Sequence, residues 1–140
     1  MFVLDTNVIS ELMRPQPDPV VFAWVATRPR DTLYTTSVSE AEVFQGVATM
    51  PEGRRRDVMT ALAEALFAEE FAGRVLPFAG TAARRYVEII VNRRAAGRPI
   101  GGFDALIAAT VLAAGASMVT RNTGDFEGAG LTLINPWNAA

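Results

Sequence analysis

Short apolar runs alternate along the chain with longer stretches of helical periodicity. Phe2-Val3-Leu4 is apolar throughout and stops at Asp5, as a strand buried on both faces does. A helix starting at Thr6 or Asn7 is expected to reach Met13, where Pro15, Pro17 and Pro19 interrupt it. Residues 20–26 carry apolar positions at helical spacing, and residues 32–36 (Thr-Leu-Tyr-Thr-Thr) have the β-branched and aromatic content of a strand. Ser37 or Ser39 is placed to cap the next helix, which runs toward Met50, and Ser39 with Glu42 matches a capping box. Pro51-Glu52-Gly53 marks a turn before a long Ala- and Leu-rich helix over 54–71. A third strand is expected at 74–78 and a helix at 81–96, with Ala82, Tyr86, Ile89 and Ile90 facing inward. After the loop at 97–102, residues 103–114 form a strongly apolar helix closed by Gly115. Strands at 117–120 and 131–134 complete the pattern.

Strands thus alternate with helices from end to end. That order predicts a three-layer α/β fold: a central parallel sheet of about five strands with helices on both faces. The 140 residues fit one domain, spanning residues 1–140, with no repeat or linker. In such sheets the ligand crevice lies at the carboxyl ends of the strands.

Composition narrows the chemistry. The chain has no Cys and no His, and all 13 basic residues are Arg. Thiolate metal sites, Cys nucleophiles, imidazole bases and Ser-His triads are therefore excluded, as are the phosphate-loop lysine and Schiff-base chemistry. An enzyme built from this set must rely on carboxylates. The net charge of −2 is not that of an obvious nucleic-acid binder, so phosphate contacts must come from local Arg clusters. No apolar run reaches membrane-spanning length, and the start has neither a basic region nor a cleavage pattern, so a cytoplasmic protein is expected.

Most acidic residues lie in polar company, but four do not. Asp5 ends the first strand between apolar runs, where it would also cap the helix that follows. Glu42 sits on a mainly apolar helix, followed by Val43, Phe44 and Gly46, a pattern read as seating it on the sheet; Glu40 is the competing candidate. Asp104 is the one acid of a helix otherwise apolar all round, where its ordinary duty would be an N-cap favoured by the helix dipole. Asp125 follows the fourth strand in Asn-Thr-Gly-Asp, which by itself reads as a loop. Together the four would stand at one edge of one sheet. Like charges at close range need a cation between them, and hard oxygen ligands select Mg²⁺ or Mn²⁺. Such a site can activate water and stabilise the leaving oxygen of a phosphodiester.

Asp5-Thr6-Asn7, Glu42 with Gly46, Asp104-Ala105 with Ile107-Ala108-Ala109, and Thr120, Asn122 and Asp125-Phe126 together resemble a PIN domain. Gly97-Arg98-Pro99-Ile100-Gly101-Gly102 narrows the resemblance to the VapC toxins and the similar FitB proteins, and it covers essentially the whole chain. A haloacid-dehalogenase phosphatase would have a second Asp where Asn7 stands, and a receiver domain would have a Lys near its end. The resemblance implies a metal-dependent endoribonuclease, the toxin of a type II toxin–antitoxin module. It places the acidic quartet at Asp5, Glu42, Asp104 and Asp125, with Mg²⁺ or Mn²⁺ on Asp5 and Asp104 above all. Thr6, Asn7, Thr120 and Asn122 are the supporting polar residues, and Thr120 or Asn122 is an alternative to Asp125. It further implies an RNA substrate, a homodimer, and a small VapB- or FitA-like antitoxin that binds DNA and blocks the site. The rival reading is a catalytically weak partner of that antitoxin in a DNA-bound regulatory complex.

Arg98 and Arg121 are nearest the four acids in sequence and are the expected phosphate contacts. Arg54-Arg55-Arg56, Arg84-Arg85 and Arg93-Arg94 are further candidates. Phe44, Phe103 and Trp24 are candidates for stacking on bases, with core packing favoured for the two Phe residues. Surplus apolar positions at 20–26 and 54–71 are expected to form the homodimer contact.

Overall fold

Val3 and Leu4 are both wholly buried yet belong to different cores, because successive strand residues face opposite sides of a sheet. Met118 and Val119 divide in the same way. The computed structural model describes residues 1–138, so the expected domain end at 140 lies outside the described residues. Strands β1 (Phe2–Leu4), β2 (Leu33–Thr36), β3 (Val75–Leu76), β4 (Ser117–Val119) and β5 (Leu133–Ile134) form one sheet in the order β3-β2-β1-β4-β5. Every pairing is parallel. The helices are α1 (Thr6–Leu12), α2 (Pro19–Ala26), α3 (Ser37–Ala48), α4 (Arg54–Ala65), α5 (Ala82–Ala95), α6 (Gly102–Ala113) and α7 (Thr123–Phe126).

One face of the sheet packs Leu4 and Val119 against Val8, Val21, Trp24, Val43, Ala63 and Phe67 from α1 to α4 and the turn after α4. The other packs Val3 and Met118 against Ile89, Ile107, Val111 and Phe126 from α5, α6 and α7. This is the expected three-layer α/β fold.

Four local expectations are corrected. The helix over 54–71 is not continuous: after Ala65 it widens into a π-helical turn, Leu66–Glu70, where the Phe71 N–H reaches the Leu66 carbonyl at 2.9 Å. The capping box does not form. Thr36 is the N-cap of α3, its hydroxyl accepting from the Ser39 N–H at 3.0 Å, and this leaves Ser39 inside the helix. Gly46 is exposed, so Val43 and Val47, not the glycine, seat α3 on the core. Finally, Asn122 to Phe126 is not a bare loop, because Thr123–Phe126 makes one helical turn.

Candidate active site

In the strand order β3-β2-β1-β4-β5 the chain reverses direction of travel between β1 and β4. The carboxyl ends of these two strands are therefore the expected crevice. Asp5 and Thr120 are the first residues beyond them. The Asp5 N–H extends the ladder to the Val119 carbonyl at 2.9 Å, which sets the two residues side by side.

Asp5 is 4% exposed and serves twice. It is the N-cap of α1, with Oδ1 accepting from the Thr6 N–H at 2.8 Å. Its Oδ2 accepts from the Thr120 hydroxyl at 2.8 Å and the Asn7 amide at 3.1 Å. Asn7 also accepts the Arg121 N–H at 3.2 Å, which ties the ends of β1 and β4 together. These bonds favour the ionised carboxylate, but burial outweighs them, and with the nearby Glu42 charge it raises the Asp5 pKa.

Glu42 reaches the same place from α3. The Thr6 hydroxyl donates to Glu42 Oε1 at 2.8 Å and lies 3.0 Å from the hydroxyl of Ser39, which is fully buried. Glu40, two residues before Glu42 on α3, has no such link to α1 among the described residues. The sequence offered Ser39 only as a cap, not as a buried neighbour of Thr6, and it did not single out Thr36. Their signal is the helical spacing that sets Ser39 one turn before Glu42 and Val43.

Asp104 arrives on α6. It is not the N-cap, which is Gly101, but the third helical residue, and no donor among the described residues bonds its carboxylate. Partial burial, the Asp5 charge and then the Asp125 charge raise its pKa. Asp125 is exposed on α7, and Asn122 is the N-cap of that turn, its N–H bonded to the Thr120 hydroxyl at 3.1 Å. The electrostatics thus link all four acids: Glu42 to Asp5, Asp5 to Asp104, Asp104 to Asp125.

Among the described residues, no Arg pairs with any of the four. Nor do any three carboxylates close into a ready-made cation cage. The donor set is an open one of hard oxygens. That suits Mg²⁺, which keeps several waters and takes only one or two protein carboxylates.

The basic and aromatic candidates divide. The Arg121 guanidinium lies over the Trp137 ring, 4.9 Å from its centroid. Arg98 is half-exposed, donates to the Gly124 carbonyl at 3.1 Å and stands 3.9 Å from Glu127. Arg93 is not a surface residue at all: it is 6% exposed and bonded to backbone carbonyls. Its place was legible, since it continues the inward series Ala82, Tyr86, Ile89. Arg85 pairs with Glu88, and Arg54 and Arg55 line an apolar groove with Leu12, Pro15, Val58 and Leu62. The aromatic expectation is reversed for Trp24 and Phe103. Trp24 is buried against Phe2 in an edge-to-face contact, whereas Phe103, beside Asp104, is 50% exposed. Phe44 packs on Phe67 as expected.

Residues 2–130 match the family model for the PIN domain. The chain is 44% identical over 140 residues to VapC ribonuclease Y4jK of Sinorhizobium fredii, covering all of both chains. It is 37% identical over 138 residues to Toxin FitB of Neisseria gonorrhoeae, covering 99% of each. The solved structure of FitAB bound to an IR36 DNA fragment superposes with a TM-score of 0.92 at 36% identity, covering 100% of this chain and 98% of that one. The chain belongs to the PIN-domain family, among its VapC- and FitB-type members.

Proposed function

We propose that this protein, as a single PIN domain over residues 1–140, is a Mg²⁺- or Mn²⁺-dependent endoribonuclease and the toxin of a toxin–antitoxin pair. The observation that carries the reading is the linked set of Asp5, Glu42, Asp104 and Asp125, without a basic partner among the described residues, at the reversal between β1 and β4. Asp5 and Asp104 are the residues that would hold the cation, with Glu42 and Asp125 completing the set. When bound, a divalent cation supplies Lewis acidity toward a phosphodiester and a lower pKa for water. The chain's own part is orientation. Thr120 and Asn7 fix Asp5, and Thr6 bonds Oε1 of Glu42, which holds that carboxylate toward the same place. Arg121 and Arg98 flank the set and are proposed to position RNA phosphates.

The VapC name of one relative and the FitAB complex on DNA support the assignment of partners. A small DNA-binding antitoxin would meet the acidic rim with a basic side chain, and Arg fits best because its planar fork pairs with carboxylates. A homodimer is part of the same reading. Val20 and Phe22 on α2 and Val58 and Leu62 on α4 leave apolar surface uncovered, so sedimentation should give a mass that rises toward twice the chain. A purely regulatory role in the DNA-bound complex is the second reading, favoured by the same FitAB structure. Incubating pure protein with RNA in Mg²⁺, in Mn²⁺ and in chelator separates them. Cleavage confined to the metal-containing samples supports the nuclease. Intact RNA in all three, with antitoxin binding retained, supports the regulatory role.

A further inference from the structure

The four-residue turn α7 cannot satisfy its own carbonyls, since the last four C=O groups of any helix lack intrahelical partners. The Phe126 carbonyl accepts from the Ala129 N–H at 3.2 Å, and two arginines from outside serve the Gly124 and Asp125 carbonyls. Arg93, on α5, donates from Nη1 to the carbonyls of Asp125 at 2.8 Å and Glu127 at 2.7 Å. Arg98 donates to the carbonyl of Gly124 at 3.1 Å. Arg93 also fixes Arg98. Helix α5 ends in a Schellman motif at Gly97 (φ 69°): the Arg98 N–H bonds the Arg93 carbonyl at 2.9 Å and the Gly97 N–H bonds the Arg94 carbonyl at 3.1 Å. The Arg93 side chain then closes the loop from the other direction, with Nε donating to the Arg98 carbonyl at 2.6 Å. One guanidinium therefore joins three pieces of backbone: the end of α5, the loop that leads into α6 and Asp104, and the turn that carries Asp125.

A buried Arg without a carboxylate partner is costly unless its donors are used. Among the described residues Arg93 has no such partner, and three charge-assisted bonds to carbonyls take its place. Its removal would loosen the end of α7: the start of the turn stays tied by the Asn122 N–H to the Thr120 hydroxyl, but the remaining arginine tie, from Arg98, is half-exposed and itself held in place by Arg93. Core packing would keep Phe126 buried, and the Asn122–Thr120 bond would keep the start of the turn in place, while the Asp125 and Glu127 carbonyls would lose their Arg93 donor.

We propose that Arg93 is a positioning residue, whose guanidinium sets where Asp125 stands relative to Asp104. The proposal rests on the nuclease reading for its effect on catalysis, but not for its effect on α7. The test is Arg93→Gln, which keeps much of the volume and loses the charge and the reach, beside Arg93→Lys, which keeps the charge but not the planar fork. Amide hydrogen exchange of the whole protein should quicken about tenfold over residues 122–129 in both variants, while β1 and β4 stay protected. Mn²⁺ affinity, measured by titration calorimetry, should fall several-fold. The kcat for RNA should fall while KM stays within about twofold, as for loss of an interaction made in the transition state. If Arg93→Gln does not fold, Arg98→Gln opens the same clasp from its exposed side and should quicken exchange at residues 122–129. Unchanged exchange there in a folded variant overturns the proposal, as does faster exchange with unchanged Mn²⁺ affinity and kcat. Should the wild-type protein cleave no RNA, the nuclease reading fails, and the exchange and Mn²⁺ measurements still decide the role of Arg93.

Discussion

Asp104 occupies the third position of α6, inside the first turn, where a negative charge gains from the helix dipole. Burial and the charges of Asp5 and Asp125 work against it and prevail, since its pKa is raised. The native protein therefore holds the ionised form less well than the unfolded chain does. Replacing Asp104 by Asn should leave the metal-free protein at neutral pH as stable as wild type or more so. The same change should abolish RNA cleavage and reduce the rise in Tm on adding Mg²⁺. A loss of stability with activity intact would return Asp104 to an ordinary first-turn acid. Thr120 is the opposite case. Its hydroxyl, wholly buried, donates to Asp5 and accepts from Asn122 and Asn7. Thr120→Val keeps the shape and strands those groups, so urea unfolding should show a loss of about 1–3 kcal/mol, together with weaker Mg²⁺ binding. A neutral effect on both would remove Thr120 from the support of Asp5.

The loop between α5 and α6 sets the approach of Asp104, and its glycines are not equivalent. Gly97 has φ 69°, in the left-handed region the Schellman motif requires, so Gly97→Ala should lower stability by about 1–2 kcal/mol in urea unfolding. Gly101 has φ −64° and ψ 152°, and an added Cβ would meet Asp104 Oδ2 at 3.9 Å, an ordinary contact. Gly101→Ala should therefore change stability by no more than about 0.5 kcal/mol. Equal losses at both positions would mean the motif is not what holds the loop. At this scale the sequence was most legible where periodicity is strong. All five strands lie where apolar and β-branched runs put them, and α6 was recognisable from its unbroken apolar face. Less visible were features set by partners distant in sequence. Whether Ser39 or Thr36 caps α3 depends on where β2 stops, which its pairing with β1 and β3 determines. The α7 turn depends on Arg93 and Arg98, about 30 residues earlier, and no local pattern in Asn-Thr-Gly-Asp announces them. Trp24 and Phe103 were exchanged because helical spacing shows which residues share a face, but which face a neighbouring helix covers is settled by packing.

Across the whole molecule, the candidate site gathers acids from four separate segments onto one end of the sheet: β1–α1, α3, α6 and α7. Asp5, Glu42 and Asp104 were picked out because each interrupts apolar surroundings, and Asp125, in the loop-like Asn-Thr-Gly-Asp, because it follows the fourth strand at the same rim. The sequence could not show how they influence one another, which depends on the distances the sheet order creates. That mutual influence has a consequence for folding. The Asp5 and Asp104 pKa values are both raised above the ordinary 3.8, by burial first and by neighbouring charges next. A group with a raised native pKa binds more protons in the native than in the unfolded state between the two values, so unfolding free energy falls as pH increases through that window. The contribution is full below about pH 4, the unfolded carboxylate value, and is lost once pH exceeds the raised native pKa values. Metal-free protein should therefore lose Tm as pH climbs from about 4 toward neutrality, beyond any change shared with Asp104→Asn. Mg²⁺ that binds the folded set alone restores stability by RT ln(1 + [Mg²⁺]/Kd), most at neutral pH where the carboxylates are ionised, and least near pH 4. Scanning Tm against pH for wild type and Asp104→Asn, with Mg²⁺ and with chelator, checks every arm. Flat, superimposable curves for the two metal-free proteins would show that these acids do not repel one another, and a Mg²⁺ effect equal at pH 4 and pH 7 would show that the ion binds elsewhere.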